Sequence, residues 1–317
     1  MLVSDNRRFI QAPFSSEEEL EQAVFDNAEY IFGPSSIYFP KALIRTREGV
    51  GTIPDGFVVD LSSRQWFVVE AELSRHSVWS HIAPQVAKQL VAATQPSSRQ
   101  LLIEMAVERA REDEQVMEIF ADENIDTIDI RRVLDEILET EPIIGMPIDS
   151  VSNDLREWAA TLKTDVRLWI VKKYVEFGEP ENVIYELPEE YRPVLDTKED
   201  LEAKRSGIAK YDVTIRDIID AELLHVGEIL LMPYKPTHGQ RKTYEGIVQE
   251  DGSIELLGKT FSSPSYAAVY GIQDAGSDRT TANGWIRWKN AKKASLADLR
   301  DEYLKRDHNQ QLESDQR

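Results

Sequence analysis

The chain has 317 residues, 41% hydrophobic and 30% charged, with a formal net charge of −20 and no cysteine. That length is ample for two domains, and the composition is that of a soluble globular protein. The missing cysteine excludes disulfides, thiol nucleophiles and cysteine-ligated zinc, and it fits a reducing cytoplasm. The acidic balance argues against tight non-specific binding to DNA, because phosphate contacts want a basic stripe.

The N-terminus MLVSDNRRFIQ lacks the apolar core of a signal peptide. No apolar run approaches the ~18 residues that a membrane span needs. Ser16 to Ile31 reads as an amphipathic helix, with Ser16 as cap, Glu19 as reciprocal partner, and Leu20, Val24, Ala28 and Ile31 as its apolar stripe. Glu21 lies at the edge of that stripe. Ile37 to Thr46 is the first expected strand, and Gly49 and Gly51 turn the chain into the next.

Ile53 to Leu90 is the stretch on which the reading turns. Asp55, Phe57, Val59 and Leu61 alternate on one face of a strand, and Trp66, Val68, Glu70 and Glu72 do so on the next. Ser62 to Gln65 joins the two as a hairpin. Asp55, Glu70 and Glu72 then converge at the edge of a small sheet. Three carboxylates there repel unless a cation sits among them, and their hard oxygens suit Mg²⁺ or Mn²⁺. The following helix, opened or kinked at Pro84, carries Gln85 and Lys88. Lys88 is a candidate to reach the site, with a solvated helix lysine as the plain alternative. His76 and His81 read as polar surface residues or phosphate contacts rather than ligands.

Pro54-Asp55, fourteen intervening residues and Glu70-Ala71-Glu72 resemble the signature of the PD-(D/E)xK nucleases. The resemblance implies a restriction-endonuclease-like mixed sheet flanked by helices, an α/β (α+β) fold. It also implies Asp55, Glu70 and Glu72 as metal ligands, Glu21 as a glutamate donated by the first helix, and Gln85 as the glutamine after the catalytic strand. Glu21 is otherwise a solvated flank residue. One position departs from the pattern: the usual lysine is Glu72, as in some restriction enzymes of this fold.

Gln100 to Ile103 is read as a short strand. Between Glu104 and Asp149 about fifteen acids face four arginines, and 104–162 is expected to be an acidic helical insertion lying away from the site. Val166 to Val175 and Asn182 to Leu187 are strands completing the sheet begun at Ile37, which closes a first domain over 1–200. A helical linker fills 201–225.

The C-terminal module spans 226–295, and a polar, frayed tail fills 296–317. Asp251-Gly252 forms a hairpin. Ser263 caps a short helix with Pro264 at its first position, and Gly271 ends it. Trp288 falls on a last strand. The run DGSI…G…F.SPS.AA…NGW..W resembles the RAMA domain, named for its association with restriction enzymes and adenine methylases. That resemblance implies a module reading double-stranded, modified or particular DNA. Ser263 and Ser265 at the helix start, Asn283 with its amide, Trp285 as a stacking face, and Arg287 and Lys289 with Arg241 and Lys242 as positive charge are the candidate contacts.

Together these features predict a Mg²⁺- or Mn²⁺-dependent endonuclease of the restriction or phage-defence kind, cytoplasmic, acting as a homodimer and directed by the RAMA-like module. A DNA-binding or regulatory protein with a decayed nuclease fold is the alternative. An interaction protein working through its acidic surface is a third.

Overall fold

In the computed structural model, which describes residues 1–123, 125–187, 193, 195–196, 213–236 and 240–315, the chain divides into two units: the first takes 1–32, 36–120 and 125–198, and the second takes 199–317 together with the short segments 33–35 and 121–124, so that Asp122 belongs to the second. The elements of the first, in chain order, begin with β1 (Leu2–Ser4), β2 (Arg7–Ala12), α1 (Glu17–Asp26), α2 (Ala28–Phe32) and β3 (Ser36–Pro40). They continue with β4 (Ile44–Arg45), β5 (Gly51–Thr52), β6 (Gly56–Asp60), β7 (Gln65–Val69), a π-helical turn (Val78–Ile82) and α3 (Ala83–Ala93). Next come α4 (Pro96–Glu112), α5 (Glu114–Asp122), α6 (Ile130–Leu138), β8 (Ile143–Ile148) and α7 (Asn153–Thr161). The unit closes with β9 (Val166–Ile170), β10 (Lys172–Glu176), β11 (Glu179–Glu186) and β12 (Leu195–Asp196).

The main sheet has the order β12-β9-β8-β7-β6-β3. Strands β3, β6 and β7 form an antiparallel meander, and β7, β8 and β9 run parallel. The alternation in the β6–β7 hairpin sorts its residues onto two buried faces. Phe57, Val59, Leu61, Trp66 and Val68 join the core that packs against α3 to α7. Val58, Phe67, Val69, Ala71 and Leu73 join the core beneath α1 and α2. A sheet covered on both faces reads as near-continuous apolar strands, as IIGMPI in β8 does.

Several expectations change here. Gln100 to Ile103 is helical, inside α4, because Leu102, Ile103, Ala106 and Ala110 bury one side of a continuous helix. The stretch 104–162 is not an insertion: it contains β8, which lies between β7 and β9, and α4, α5 and α6 fill the core. Many of its acids lie on the outer faces, where Arg131 meets Glu104 at 2.8 Å and Arg132 meets Glu136 at 2.7 Å. Val166 to Val175 is two strands. The chain leaves the main sheet after Ile170, and β10 and β11 build a second sheet of order β1-β2-β10-β11. The N-terminal residues form its edge hairpin, turning through Asp5 and Asn6 at positive φ.

The described part of the second unit holds α8 (Ile215–Asp220), β13 (Ile229–Tyr234), β14 (Lys242–Val248), β15 (Ile254–Leu256) and β16 (Lys259–Phe261). It ends with α9 (Pro264–Asp274), α10 (Gly284–Arg287) and α11 (Leu296–Asp315). The four strands form one antiparallel sheet in sequence order, covered by α9. Residues 201–212 of the expected linker lie outside the described residues. The expected frayed tail is instead α11, whose Leu296 and Leu299 are buried in the core. Gly271 does not end α9. It sits inside the helix, where an added Cβ would stand 2.8 Å from Met232 Cε. Among the described residues no helix is long and apolar enough to cross a membrane.

Candidate functional site

The acids gather where β6 begins and β7 ends. Beyond Val69 the backbone N–H groups point alternately to either side, as in any strand. Glu70 N and Glu72 N donate to Gly145 O and Pro147 O on the β8 side, each at 3.0 Å. Ala71 N points the other way and donates to Asp55 Oδ2 at 3.0 Å. This bond latches the Asp55 carboxylate to the strand carrying both glutamates. Tyr38 Oη donates to Asp55 O at 3.2 Å, and Gly56 makes room for that ring, since a Cβ there would meet Tyr38 Oη at 2.4 Å.

Glu70 is 1% exposed. Its Oε2 accepts from Gln85 Nε2 at 3.0 Å, and its Oε1 is buried without a hydrogen-bond partner. Burial, then the neighbouring Asp55 carboxylate, then Glu72 push Glu70 well above the ordinary carboxylate range, with Gln85 opposing. Asp55 comes within hydrogen-bonding reach of both Glu70 and Glu21. Acid-to-acid contacts of this kind need a shared proton or a cation.

Glu21 projects from α1 and is paired with Lys41 Nζ at 2.5 Å, which stands 3.4 Å from Asp55 Oδ1. Burial and Asp55 hold Glu21 above its usual value despite the lysine. Lys41 is raised as well: burial works against its charge, and the Glu21 and Asp55 carboxylates outweigh it. Nothing in the sequence around Lys41 marks it as a site residue. The signal was the pairing of β3 with β6, in which Pro40 faces Gly56 and the next step brings Lys41 to Asp55. Lys88, the lysine proposed from the helix, is exposed on α3.

Glu72 is 2% exposed but turns aside from the Asp55–Glu70 pair. Its Oε2 lies 3.2 Å from His76 Nδ1 and its Oε1 lies 3.8 Å from His81 Nε2. Burial, followed by Glu17 and then Asp55, pushes it up to about 8. The expected meeting of three carboxylates is therefore a pair, Asp55 and Glu70, with Glu72 serving a neighbouring cluster.

In the second unit, Ser263 and Ser265 are both buried. Ser263 Oγ accepts from Ser265 N and Tyr266 N, and Ser265 Oγ accepts from Gly284 N at 3.2 Å. Gly284 packs so closely that a Cβ would overlap Pro264 C and O at 2.1 Å. The start of α9 is thus covered by α10, which corrects the expected open phosphate site. Trp285 is 7% exposed with the Arg300 guanidinium 4.7 Å from its ring, so it is not an open stacking face. Arg287 is largely buried and pairs with Asp122 at 3.4 Å, which also meets Arg279. Trp288 is core, its Nε1 donating to Pro264 O. Asn283 is half-buried and Lys289 exposed.

The open aromatic surface lies elsewhere on this unit. A shallow groove of about 410 Å³ is lined by Phe261, Tyr266, Tyr270 and Gln273 among others, and Tyr266 is 60% exposed. Lys259 Nζ stands 4.5 Å from the centre of the Tyr270 ring.

No curated protein and no solved structure matches the chain. Residues 196–309, about a third of its length, match the family model RAMA, described as Restriction Enzyme Adenine Methylase Associated, which associates this segment with restriction systems.

Proposed function

We propose that the first unit is a metal-dependent DNA endonuclease of restriction or phage-defence type, of PD-(D/E)xK kind, and that the RAMA segment directs it to double-stranded, particular or modified DNA. The observation that carries this reading is the Asp55–Glu70 pair, with one buried Glu70 oxygen unpartnered and Lys41 alongside. Hard carboxylate oxygens with a free acceptor suit Mg²⁺ or Mn²⁺, which Asp55 and Glu70 would hold. The chemistry of such a cation, when bound, is to acidify water and to neutralise charge on a phosphate. Gln85 fixes the Glu70 carboxylate. Glu21 holds the Lys41 ammonium beside Asp55, where it can stabilise charge on the phosphate undergoing attack, the part given by the pattern to the lysine that Glu72 replaces. In the RAMA segment the supporting surface for base contact is Phe261, Tyr266 and Tyr270 with Lys259, because the Trp285 ring is covered.

The test is cleavage of unmodified, methyladenine and methylcytosine duplexes in Mg²⁺ and in Mn²⁺. The parent should cut at least one, and Asp55→Asn and Glu70→Gln should lower the rate by about 100-fold or more with folding retained. Equal cutting by those variants would move the site elsewhere. Glu72 at the lysine position favours a second reading, a DNA-binding protein without cleavage. Binding of the same duplexes with no cutting under any condition would select it.

A further inference from the structure

We propose that Glu17, Glu72, His76 and His81 form a transition-metal site, separate from the Asp55–Glu70 pair. One ligand atom from each of the four residues lies within 4.8 Å of all the others. His76 Nδ1 is 2.5 Å from Glu17 Oε1 and 3.2 Å from Glu72 Oε2. His81 Nε2 is 3.8 Å from Glu72 Oε1 and 3.9 Å from Glu17 Oε1.

Three segments of the first unit meet to make this cluster. Glu17 comes from the first turn of α1, Glu72 from the strand end after β7, and the histidines from the connection to α3. His81 lies in the π-helical turn, where Ile82 N reaches back to Ser77 O, and the two imidazole rings stand 4.9 Å apart. Such turns are rare and concentrate at functional sites. The cluster also leaves a polar atom unsatisfied. Glu17 Oε1 is fully buried and has no hydrogen bond of acceptable geometry, although the His76 nitrogen is close. Glu72 itself is almost wholly buried, where a carboxylate requires a charged partner or a metal.

Two imidazoles with two carboxylates select for a borderline ion such as Zn²⁺, whereas an all-oxygen site suits Mg²⁺. Glu70 and Glu72, two residues apart on one strand, would thus serve two sites of different chemistry. The ion would tie α1 to the strand end through Glu17. Glu21 is one turn further along α1, so the same tie positions the carboxylate that holds Lys41. This site stands or falls independently of DNA cleavage.

The experiment uses the full chain without a polyhistidine tag, stripped with chelator and titrated at pH 7.5 with Zn²⁺, with Co²⁺ absorption as a second readout. We expect about one tight equivalent that millimolar Mg²⁺ does not displace. Loss of an outer partner costs ~10–100-fold in metal affinity, so His76→Ala and His81→Ala should each weaken Zn²⁺ by about 100-fold or more. Asp55→Asn should leave it unchanged. His81 is half-exposed, so its variant tests the site without disturbing the core. Zn²⁺ binding that survives both histidine variants, or that is lost in Asp55→Asn alone, overturns the proposal. So does the absence of tight binding, which would leave the cluster a set of histidine–carboxylate ion pairs.

Discussion

Glu70 keeps a buried oxygen without a partner beside a second carboxylate. A buried acceptor left unmade costs about 1–3 kcal/mol, so a cation there would recover stability as well as create a site. In the same neighbourhood Lys41 pairs with Glu21 and stands 3.4 Å from Asp55. Lys41→Met keeps most of the volume of a half-exposed side chain, so folding should persist while cleavage falls by about 100-fold; a single-turnover assay against the parent checks this. Lys88→Met, by contrast, should leave the rate within about threefold, because Lys88 is an exposed side chain on α3. The nearness of Asp55 and Glu70 was legible in the sequence as spacing along one hairpin, whereas Gln85 came only from the resemblance to the nuclease pattern. Lys41 was not legible, because its place depends on the register between β3 and β6. The direction of Glu72 was hidden for a similar reason: its partners sit four and nine residues on, brought round by a turn and a π-helical segment that apolar periodicity does not signal.

At the scale of elements, α1 is fixed at its start. Ser16 Oγ accepts from Glu19 N, and the Glu19 carboxylate accepts from Ser15 N and Oγ while pairing with Lys173 of β10. Burial acts to raise Glu19, and the Lys173 ammonium and the Ser15 donors overcome it, leaving it below its ordinary value. A depressed carboxylate stabilises the fold above its unfolded value and loses that contribution as pH falls through its folded one. Glu19→Gln should therefore cost about 1 kcal/mol at pH 7, discounted for partial exposure, and almost nothing near pH 3; urea melts at the two pH values measure the difference. In the second unit the close contact of α9 and α10 sets another outcome. Gly284→Ala would drive a Cβ into the Pro264 backbone, and neither helix can yield cheaply, so a loss of about 3 kcal/mol is expected on thermal melting. In the sequence Gly284 is simply the middle residue of the run NGW. Its use is close approach, which the packing of two successive helices creates and the local sequence does not show.

For the whole molecule, the net charge of −20 is compatible with a DNA substrate only if local fields differ from the total. Much of the acidic surplus is on the outer faces of α4 and α6, paired with Arg131 and Arg132. Those helices looked like an appendage in the sequence because their charge outweighs their apolar stripe. They are core elements, and β8 among them was missed although its six residues are all buried. A single sequence shows hairpins by short-range alternation; it does not show that a parallel strand, Ile143–Ile148, arrives long after β7 ends at Val69 to complete the sheet. Raised salt should weaken binding of the RAMA segment to all duplexes alike, and Tyr266→Ala should reduce discrimination among modified and unmodified duplexes by about tenfold; fluorescence anisotropy of the full chain compares them. The most direct test is anomalous diffraction from crystals of the full chain grown with Mn²⁺. The expected result is a peak between the Asp55 and Glu70 carboxylates that disappears in Glu70→Gln. No peak there, with Lys41 and a shared proton alone balancing the acids, would contradict a metal-dependent nuclease site.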